Sequence, residues 1–490
     1  MLNFFYAFLN KKGESMKLKN ILKGVKILNA RGIKNVNIEN ISNKTSDNLQ
    51  QGLYICIKGG NIDGHNLKAE AQKCGAVAFV VEQIDYEFDG LQILVEDSRQ
   101  ALSIIAKNFY YTKNFPKIIG VTGTNGKTTT TNMVAHILDY AGKKVGLIGT
   151  EGIFYAGKKI NLHMTTPDPI DLFKHLKNMA DEGVEYVVME VSAHAIYLQK
   201  VFALDFFVKA LTNITEDHLD FFETFTKYKN TKVDFIYAGK GIKIVNIDDK
   251  YGCNIASKNQ KVFTYSKSLP ADIYAQNIKQ GSGEYVAKYC GNNLQVTTNL
   301  IGAYNIENTL CALLIACKVG ISADLATKAM ETFKSVDGRL NVYKRGQKTA
   351  IIDFAHTPDA MQKVLSTIRD EGFKRIICLF GCGGNRDAIK RPIMGKIASE
   401  NADFVYISSD NPRFEEPMDI INQICSGFEK NNYIVIQDRA QAIRQAVGAM
   451  EEGDCLVLCG KGAEDYMEIK GIKYAYSDKQ VLSSLGFEQI

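Results

Sequence analysis

"GVTGTNGKTTTT", residues 120–131, decides how this chain is read. It continues the apolar run "KIIGVT" (117–122) and leads into a segment where Met133, Val134, Ile137 and Leu138 recur at helical spacing. A strand, a glycine-rich turn and a helix amino terminus in that order present backbone N–H groups to an anion. A glycine-rich turn alone often does no more than permit tight packing. Here Lys127 and four threonines, Thr128 to Thr131, come directly after a strand, which favours a bound nucleotide. Lys127 would reach its terminal phosphates, and the Thr128 hydroxyl would face Mg²⁺. Val121 stands where the usual phosphate-loop pattern has its first glycine, and the glycines fall at Gly120, Gly123 and Gly126. This is not the loop of an ordinary GTPase or motor.

Outward from the loop, strand-like apolar runs alternate with helical periods, which predicts an α/β fold with parallel sheets. "KVGLIGT" (144–150), "YVVMEVS" (186–192), "FVKALTNI" (207–214) and "GIKIVNIDD" (241–249) make one series. "TAIIDFAH" (349–356), "RIICLFGCGG" (375–384), "DFVYISSDNPR" (403–413) and "DCLVLCGKG" (454–462) make another. Before the loop, "GLYICIKGG" (52–60) and "AVAFVVE" (76–82) read as strands around a helix in "NLKAEAQKCG" (66–75). Polar residues able to do chemistry cluster at the carboxyl ends of these runs, where open α/β sheets bind ligands. Three parts follow: 16–112, 113–335 and 336–490. A length of 490 residues agrees with about three domains. The first fifteen residues, "MLNFFYAFLNKKGES", are too short to span a membrane and carry no cleavage site, so Met16 is the expected natural start.

A net charge of +5 on this length does not call for nucleic acid, and no Lys/Arg block or interleaved aromatic pattern supplies a surface for one. No apolar run is long enough to cross a bilayer. Cys378/Cys382 and Cys455/Cys459 are each four apart within apolar runs, a pattern of small buried strand residues rather than a metal site. A reducing, cytoplasmic setting is expected. Glu190 and His218 are each placed at a strand end and can each bind a divalent metal. The bland alternatives are a capping or ion-paired carboxylate and a satisfied buried histidine. Asp217 beside His218, with the loop, favours metal. Lys232, in "YKNTKVDFI" (228–236), reads first as a surface helix lysine.

"GTNGKTT" (123–129) in this arrangement resembles the Mur ligases and their folate-polyglutamylating relatives. "MEVSAHAIYLQKV" (189–201), "LTNITEDHLDFF" (211–222), "GAYNIENTLCA" (302–312), "DGR" (337–339), "DFAHTPDAM" (353–361), "GCGGNRDAIKRPIMG" (381–395), "DNPRFEEP" (410–417) and "GKGAEDY" (460–466) are similar to that family's motifs, in its order. The match runs from Met16 to the end. It implies a three-domain Mur ligase architecture, with a uridine-binding amino-terminal part, a central P-loop ATPase-like domain and a Rossmann-like carboxy-terminal domain. It implies an ATP- and Mg²⁺-dependent ligase that makes an acyl phosphate on a carboxylate and lets an amine displace phosphate. The last four motifs point to members adding the third residue of the peptidoglycan stem peptide. Their partners are UDP-N-acetylmuramoyl-L-alanyl-D-glutamate and meso-diaminopimelate; a monomer is expected.

Carried over by resemblance, ATP is held by Gly123, Thr124, Asn125, Gly126, Lys127, Thr128, Thr129, Asn305, Asn308, Arg339, Asp353 and His356. Metal falls to Thr128, Glu190, His218 and Lys232, the last as a carbamate fourteen residues after His218, with Lys229 competing for that role. Carbamylation makes the cation an anion able to face metal. Lys127, Lys232, Glu190 and His218 form the catalytic set. Ser42, Thr165, Thr166, Ser192 and Lys200 face the muramoyl dipeptide. Arg386, Asp410, Asn411, Pro412, Arg413, Gly460 and Glu464 face diaminopimelate. Arg413 suits its distal carboxylate, Glu464 its ammonium and Arg386 the other carboxylate. The bland alternative for Arg413 is an ion pair with Glu415 or Glu416. The chain departs from the family at Asn43 (usually Arg), Lys200 (Arg), Asp337 (Pro), Asn341 (acidic) and Ala463 (His), and Gln199 is one place from the usual Gln.

L-Lysine as the added residue, another Mur or folylpolyglutamate-type ligase, and a non-enzymatic UDP-sugar-binding homologue remain as alternatives. "DNPR" and "GKG-x-E" oppose another ligase. Lys127, Glu190 and His218 together oppose a non-enzyme. A P-loop switch protein would need a guanine-reading motif, and none is present.

Overall fold

The computed structural model describes residues 15–32, 36–60, 62–162, 164–259, 261–279, 283–300 and 302–490. The apolar stub, all but Ser15, and His163 of "HMTTPDP" lie outside the described residues. The described residues form two compact units, one within 1–119 and 144–207, the other within 120–143 and 208–490. The loop-bearing strand Lys117–Thr122 begins in one and ends in the other.

The first unit contains a five-stranded sheet in the order Ile27–Arg31, Leu91–Val95, Ala76–Val81, Gly52–Ile55, Asn40–Ser42. The last four strands pair in parallel, and Ile27–Arg31 closes the edge antiparallel. Gly52–Ile55 is buried throughout and Ala76–Val81 nearly so, which is why both read as continuous apolar runs rather than alternating ones. The same unit holds the parallel pair Val145–Gly149 and Tyr186–Glu190, extended by the antiparallel strands Gly152–Tyr155 and Lys158–Ile160. Helix Ser98–Tyr110 packs against helix Pro169–Asp181. Asp97 starts the first by accepting the N–H groups of Arg99 and Gln100, and Pro169 opens the second where no N–H is needed.

In the second unit, Thr212 N–H donates to the Thr122 carbonyl, so the end of the loop strand lies beside the end of strand Phe206–Leu211. Ile242–Asn246, Val262–Ser266 and Ile273–Gln276 follow in parallel, then Glu284–Tyr289 and Asn292–Thr297 antiparallel. Helix Lys127–Tyr140 fully buries Met133, Val134, Ile137 and Leu138, as their spacing predicts, and packs against helix Ala303–Lys318.

The carboxy-terminal sheet runs Tyr433–Val435, Phe404–Ile407, Ile376–Phe380, Cys455–Cys459, Lys348–Asp353, Asn341–Arg345, Glu488–Gln489. Its first five strands are parallel. Side-chain alternation divides the central strand between two cores: Cys455, Val457 and Cys459 enter one, Leu456 and Leu458 the other. Both faces are covered, as in a doubly wound fold. All eleven cysteines are free, and Cys378 and Cys382 join Cys455 and Cys459 in the core. Among the described residues, no helix is long and apolar enough to cross a membrane.

Candidate functional site

The phosphate loop is built by two glycines and a neighbouring strand end. Gly123 has φ +151 and Gly126 φ +84, backbone that side chains resist. A Cβ on Gly123 would lie 1.8 Å from Thr212 Oγ1, and one on Gly126 2.3 Å from Asn308 Oδ1. "LTNIT" (211–215) ties the loop down. Asn213 carbonyl accepts from Thr124 N–H, Asn213 Oδ1 accepts from Asn125 N–H at 3.0 Å, and Thr212 Oγ1 donates to Asn125 O at 2.6 Å. Thr124 Oγ1 donates to Thr215 O and lies 3.0 Å from the hydroxyl of buried Tyr228.

Lys127 Nζ donates to the carbonyls of Gly123 and Thr124, each at 2.9 Å. Lys232 Nζ reaches the same Gly123 carbonyl at 2.7 Å, and its side chain is buried over the Tyr228 ring. Lys232 is therefore not a surface lysine. Burial, then the charge of Lys127, drives its amine well below the usual lysine range, with Asp217 opposing. Lys229, three residues earlier, is half-buried and looks away onto Tyr251 at 5.8 Å.

His218 does not end a strand. It follows strand Phe206–Leu211 by a loop and caps the short helix Leu219–Phe222 in left-handed backbone, φ 54. Its Nε2 lies 3.3 Å from Asp217 Oδ2. Burial would raise Asp217, but His218, His356, Lys390 and Lys127 together hold it below the ordinary carboxylate value. Burial and Lys390 push His356 down to about 4, leaving a neutral imidazole whose Nδ1 faces Phe354 O at 2.8 Å.

Residues far along the chain close on the loop. Arg339 Nη2 donates to Thr128 Oγ1 at 3.3 Å, and its guanidinium lies 4.4 Å from the Phe354 ring. Asp353 spends its oxygens on backbone: Oδ2 accepts Leu340 N–H at 2.9 Å and Oδ1 accepts Ala355 N–H at 2.8 Å. It fixes the turn that carries Arg339. Asn308 Nδ2 donates to Asn305 Oδ1 at 3.0 Å, aligning that pair beneath Gly126. Asn341, where the family has an acid, donates to Ser335 Oγ and Val336 O while accepting Gly338 N–H, a combination an ionised carboxylate could not make.

A second polar group gathers at the carboxyl ends of strands Phe404–Ile407 and Cys455–Cys459. Asn411 Nδ2 donates to Glu464 Oε2 at 2.8 Å, and Asp410 lies against Gly460, where a Cβ would be 2.7 Å from Oδ2. Gly383 and Gly384 let the loop after Phe380 meet Asn411 and Pro412. A Cβ on Gly384 would strike Pro412 O at 1.9 Å, and one on Gly383 would touch both Arg413 and Arg386. Arg413 does not pair with Glu415 or Glu416: Glu415 takes both Nη groups of buried Arg391. Arg413 has φ 52, donates from Nη1 to Gly384 O at 2.8 Å and holds Glu468 Oε2 at 3.2 Å through Nε.

In the first unit, Glu190 is buried at the end of its strand. Its Oε1 accepts Thr150 N–H at 2.8 Å, and it lies so close to Gly149 that a Cβ there would be 2.4 Å away. Thr166 Oγ1 donates to Glu190 O and accepts Ser192 N–H, and Ser192 caps helix Ala193–Tyr197. Thr165 Oγ1 faces Thr150 Oγ1 at 3.2 Å. Lys200 Nζ pairs with Asp168 at 2.8 Å. Ser42, on the edge strand Asn40–Ser42, donates to Asp47 Oδ2 at 2.6 Å.

Sequence reasoning missed Lys461, Glu468, Tyr228 and Asp359, which accepts from Asn125 Nδ2 at 2.7 Å. Only Lys461 carried a signal, as a lysine between two glycines at a strand end.

Residues 121–316 match the Mur ligase middle domain, and residues 338–462 match the Mur ligase glutamate ligase domain. A Clostridium tetani protein named UDP-N-acetylmuramoyl-L-alanyl-D-glutamate–2,6-diaminopimelate ligase is 38% identical over 96% of this chain and 99% of its own. The Aquifex aeolicus protein of that name is 41% identical over 88% and 90%. A solved structure with the same name superposes with a TM-score of 0.70 at 25% identity over 96% of this chain and 98% of that one. A MurF ligase from Thermotoga maritima in complex with ADP shares the fold, with TM-score 0.61 and 19% identity over 86% and 94%. With a loop of this construction and matches along nearly its whole length, the chain belongs to the Mur ligase family of ATP-dependent amino-acid ligases.

Proposed function

We propose that the chain joins meso-diaminopimelate to UDP-N-acetylmuramoyl-L-alanyl-D-glutamate, converting ATP to ADP, in the cytoplasm and as a monomer. Residues 16–112 serve uridine binding, 113–335 ATP, and 336–490 the amino acid. When bound, ATP supplies the phosphoryl group that turns a substrate carboxylate into an acyl phosphate, from which the incoming amine displaces phosphate. Transfer of this kind needs positioning and charge neutralisation rather than covalent help from protein. Lys127 and Arg339 supply positive charge at the loop, and Asn305 and Asn308 line its far side. Thr166, Ser192 and Lys200 orient the muramoyl peptide.

No group of three or more His, Cys, Asp or Glu side chains among the described residues is arranged to hold a metal alone. Mg²⁺ is commonly held by one or two protein anions together with substrate phosphates. In the second unit Thr128, His218 and a carbamate on Lys232 would hold it, and it would neutralise charge on the transferring phosphoryl group; Glu190, in the first unit, is a metal-binding candidate on its own strand end. The depressed amine of Lys232 supports the carbamate, since the neutral form is the one that reacts with CO₂.

The observation that carries the choice of amino acid is Arg413, set on the Gly384 carbonyl and Glu468 two residues after Asn411, whose amide in turn holds Glu464. Arg413 and Glu464, at strand ends, would match the carboxylate and the ammonium of a second amino-acid head, whereas L-lysine brings an ammonium alone. The test is ADP release with UDP-N-acetylmuramoyl-L-alanyl-D-glutamate and each candidate amino acid. Meso-diaminopimelate should drive turnover far better than L-lysine; equal or better use of L-lysine would overturn the assignment.

A further inference from the structure

Lys461 lies just past strand Cys455–Cys459, between Gly460 and Gly462, and its side chain is completely buried, 0% exposed. A lysine holds such a place only when its charge is met. Its Nζ is 3.1 Å from Asn411 Oδ1, 3.1 Å from Glu464 Oε2 and 3.6 Å from Asp410 Oδ1. Asn411 Oδ1 also accepts Glu468 N–H at 2.9 Å, so the amide must turn Nδ2 toward Glu464. The neighbouring cation Arg439 is committed to Asp478 through two hydrogen bonds of 2.9 and 2.7 Å. Burial would raise Asp410, yet Lys461 and then Arg439 hold it below the ordinary carboxylate range. One lysine charge shared between two carboxylates leaves the cluster one negative charge in excess.

We propose that Lys461 is a positioning residue for the incoming amino acid: it locks the Asn411 amide and balances one of the two charges of Asp410 and Glu464, so that the remaining one is presented to the ligand's ammonium. This rests on assigning Asp410, Asn411 and Glu464 to the amino-acid site. Lysine's length and charge are both needed: a shorter side chain would not span three oxygens, and a neutral one would leave buried Asp410 and half-buried Glu464 repelling each other.

The test compares Lys461→Met and Lys461→Gln with the unsubstituted enzyme, by ADP release at varied meso-diaminopimelate and at varied ATP. Removing one partner of a buried charge cluster should raise the KM for meso-diaminopimelate on the order of 30-fold in Lys461→Met. Lys461→Gln, which keeps a donor but not the charge, should fall between. The KM for ATP should stay within about twofold in both. If Lys461→Met does not fold, Lys461→Gln decides alone, with a rise of several-fold expected in the amino-acid KM only. An unchanged amino-acid KM, or one rising in step with that for ATP, overturns the proposal. Failure of the unsubstituted enzyme to use meso-diaminopimelate would instead overturn the proposed function, which separates the two.

Discussion

Lys232 Nζ donates to the Gly123 carbonyl oxygen at 2.7 Å, and Lys127 Nζ donates to that same oxygen at 2.9 Å. Two buried or half-buried ammonium groups on one carbonyl would repel, and burial already disfavours charge on Lys232. Both effects favour the neutral amine, which is the form that takes up CO₂. Lys232→Ala should therefore lose activity on the order of a hundredfold, and Lys229→Ala should be mild. Native mass or electron density should show the added CO₂ on Lys232; the opposite ranking of the two variants would move the role to Lys229.

Lys127→Ala should abolish most ATP turnover without unfolding the protein. Losing a group that neutralises charge in the transferring phosphoryl commonly costs roughly a hundredfold or more. Circular dichroism checks the fold, and near-normal ligase activity in a folded variant would remove the loop from the nucleotide site.

Gly126→Ala tests the construction of the loop. The left-handed backbone costs about 1–2 kcal/mol with a side chain, and the new methyl meets Asn308 Oδ1 at 2.3 Å. The KM for ATP should rise and Tm should fall. Gly142→Ala is the control: its φ is +74 but nothing lies within 4 Å of the added carbon, so Tm alone should drop.

Arg413→Ala should erase discrimination between meso-diaminopimelate and L-lysine. A site built to pair a ligand charge rejects the analogue lacking it on the order of a thousandfold, and the alanine variant no longer offers that pair. Competition between the two amino acids in one assay measures it; preserved preference would mean another residue reads the distal carboxylate.

The imidazole of His356 is pushed from 6.5 down to about 4 by burial and Lys390. Between those values the unfolded chain binds a proton that the folded state refuses. This contribution to stability is present above about 6.5 and is lost as pH falls through the window toward about 4. Thermal unfolding across that range should show a shallower acid loss for His356→Gln than for the unsubstituted protein.

The sequence by itself determined the principal buried strands, the loop and the family, because each rests on local pattern, whereas the edge strand Ile27–Arg31 and its neighbour Leu91–Val95 were not read from it. "KIIGVT", the helical spacing of Met133 to Leu138 and the order of the motifs are contiguous in the chain, and every main strand read there forms. Only tertiary structure decided what each polar side chain meets. Arg413 and Glu415 are two residues apart, yet Arg413 holds Glu468 and Glu415 holds Arg391. Lys229 and Lys232 are both helix lysines in the sequence, and only packing against Tyr228 and Gly123 makes one of them buried and weakly basic. Lys461 looks like a linker between glycines until the two strand ends meet around it. Periodicity is written along the chain, whereas burial and partner choice depend on which distant segments fold into contact.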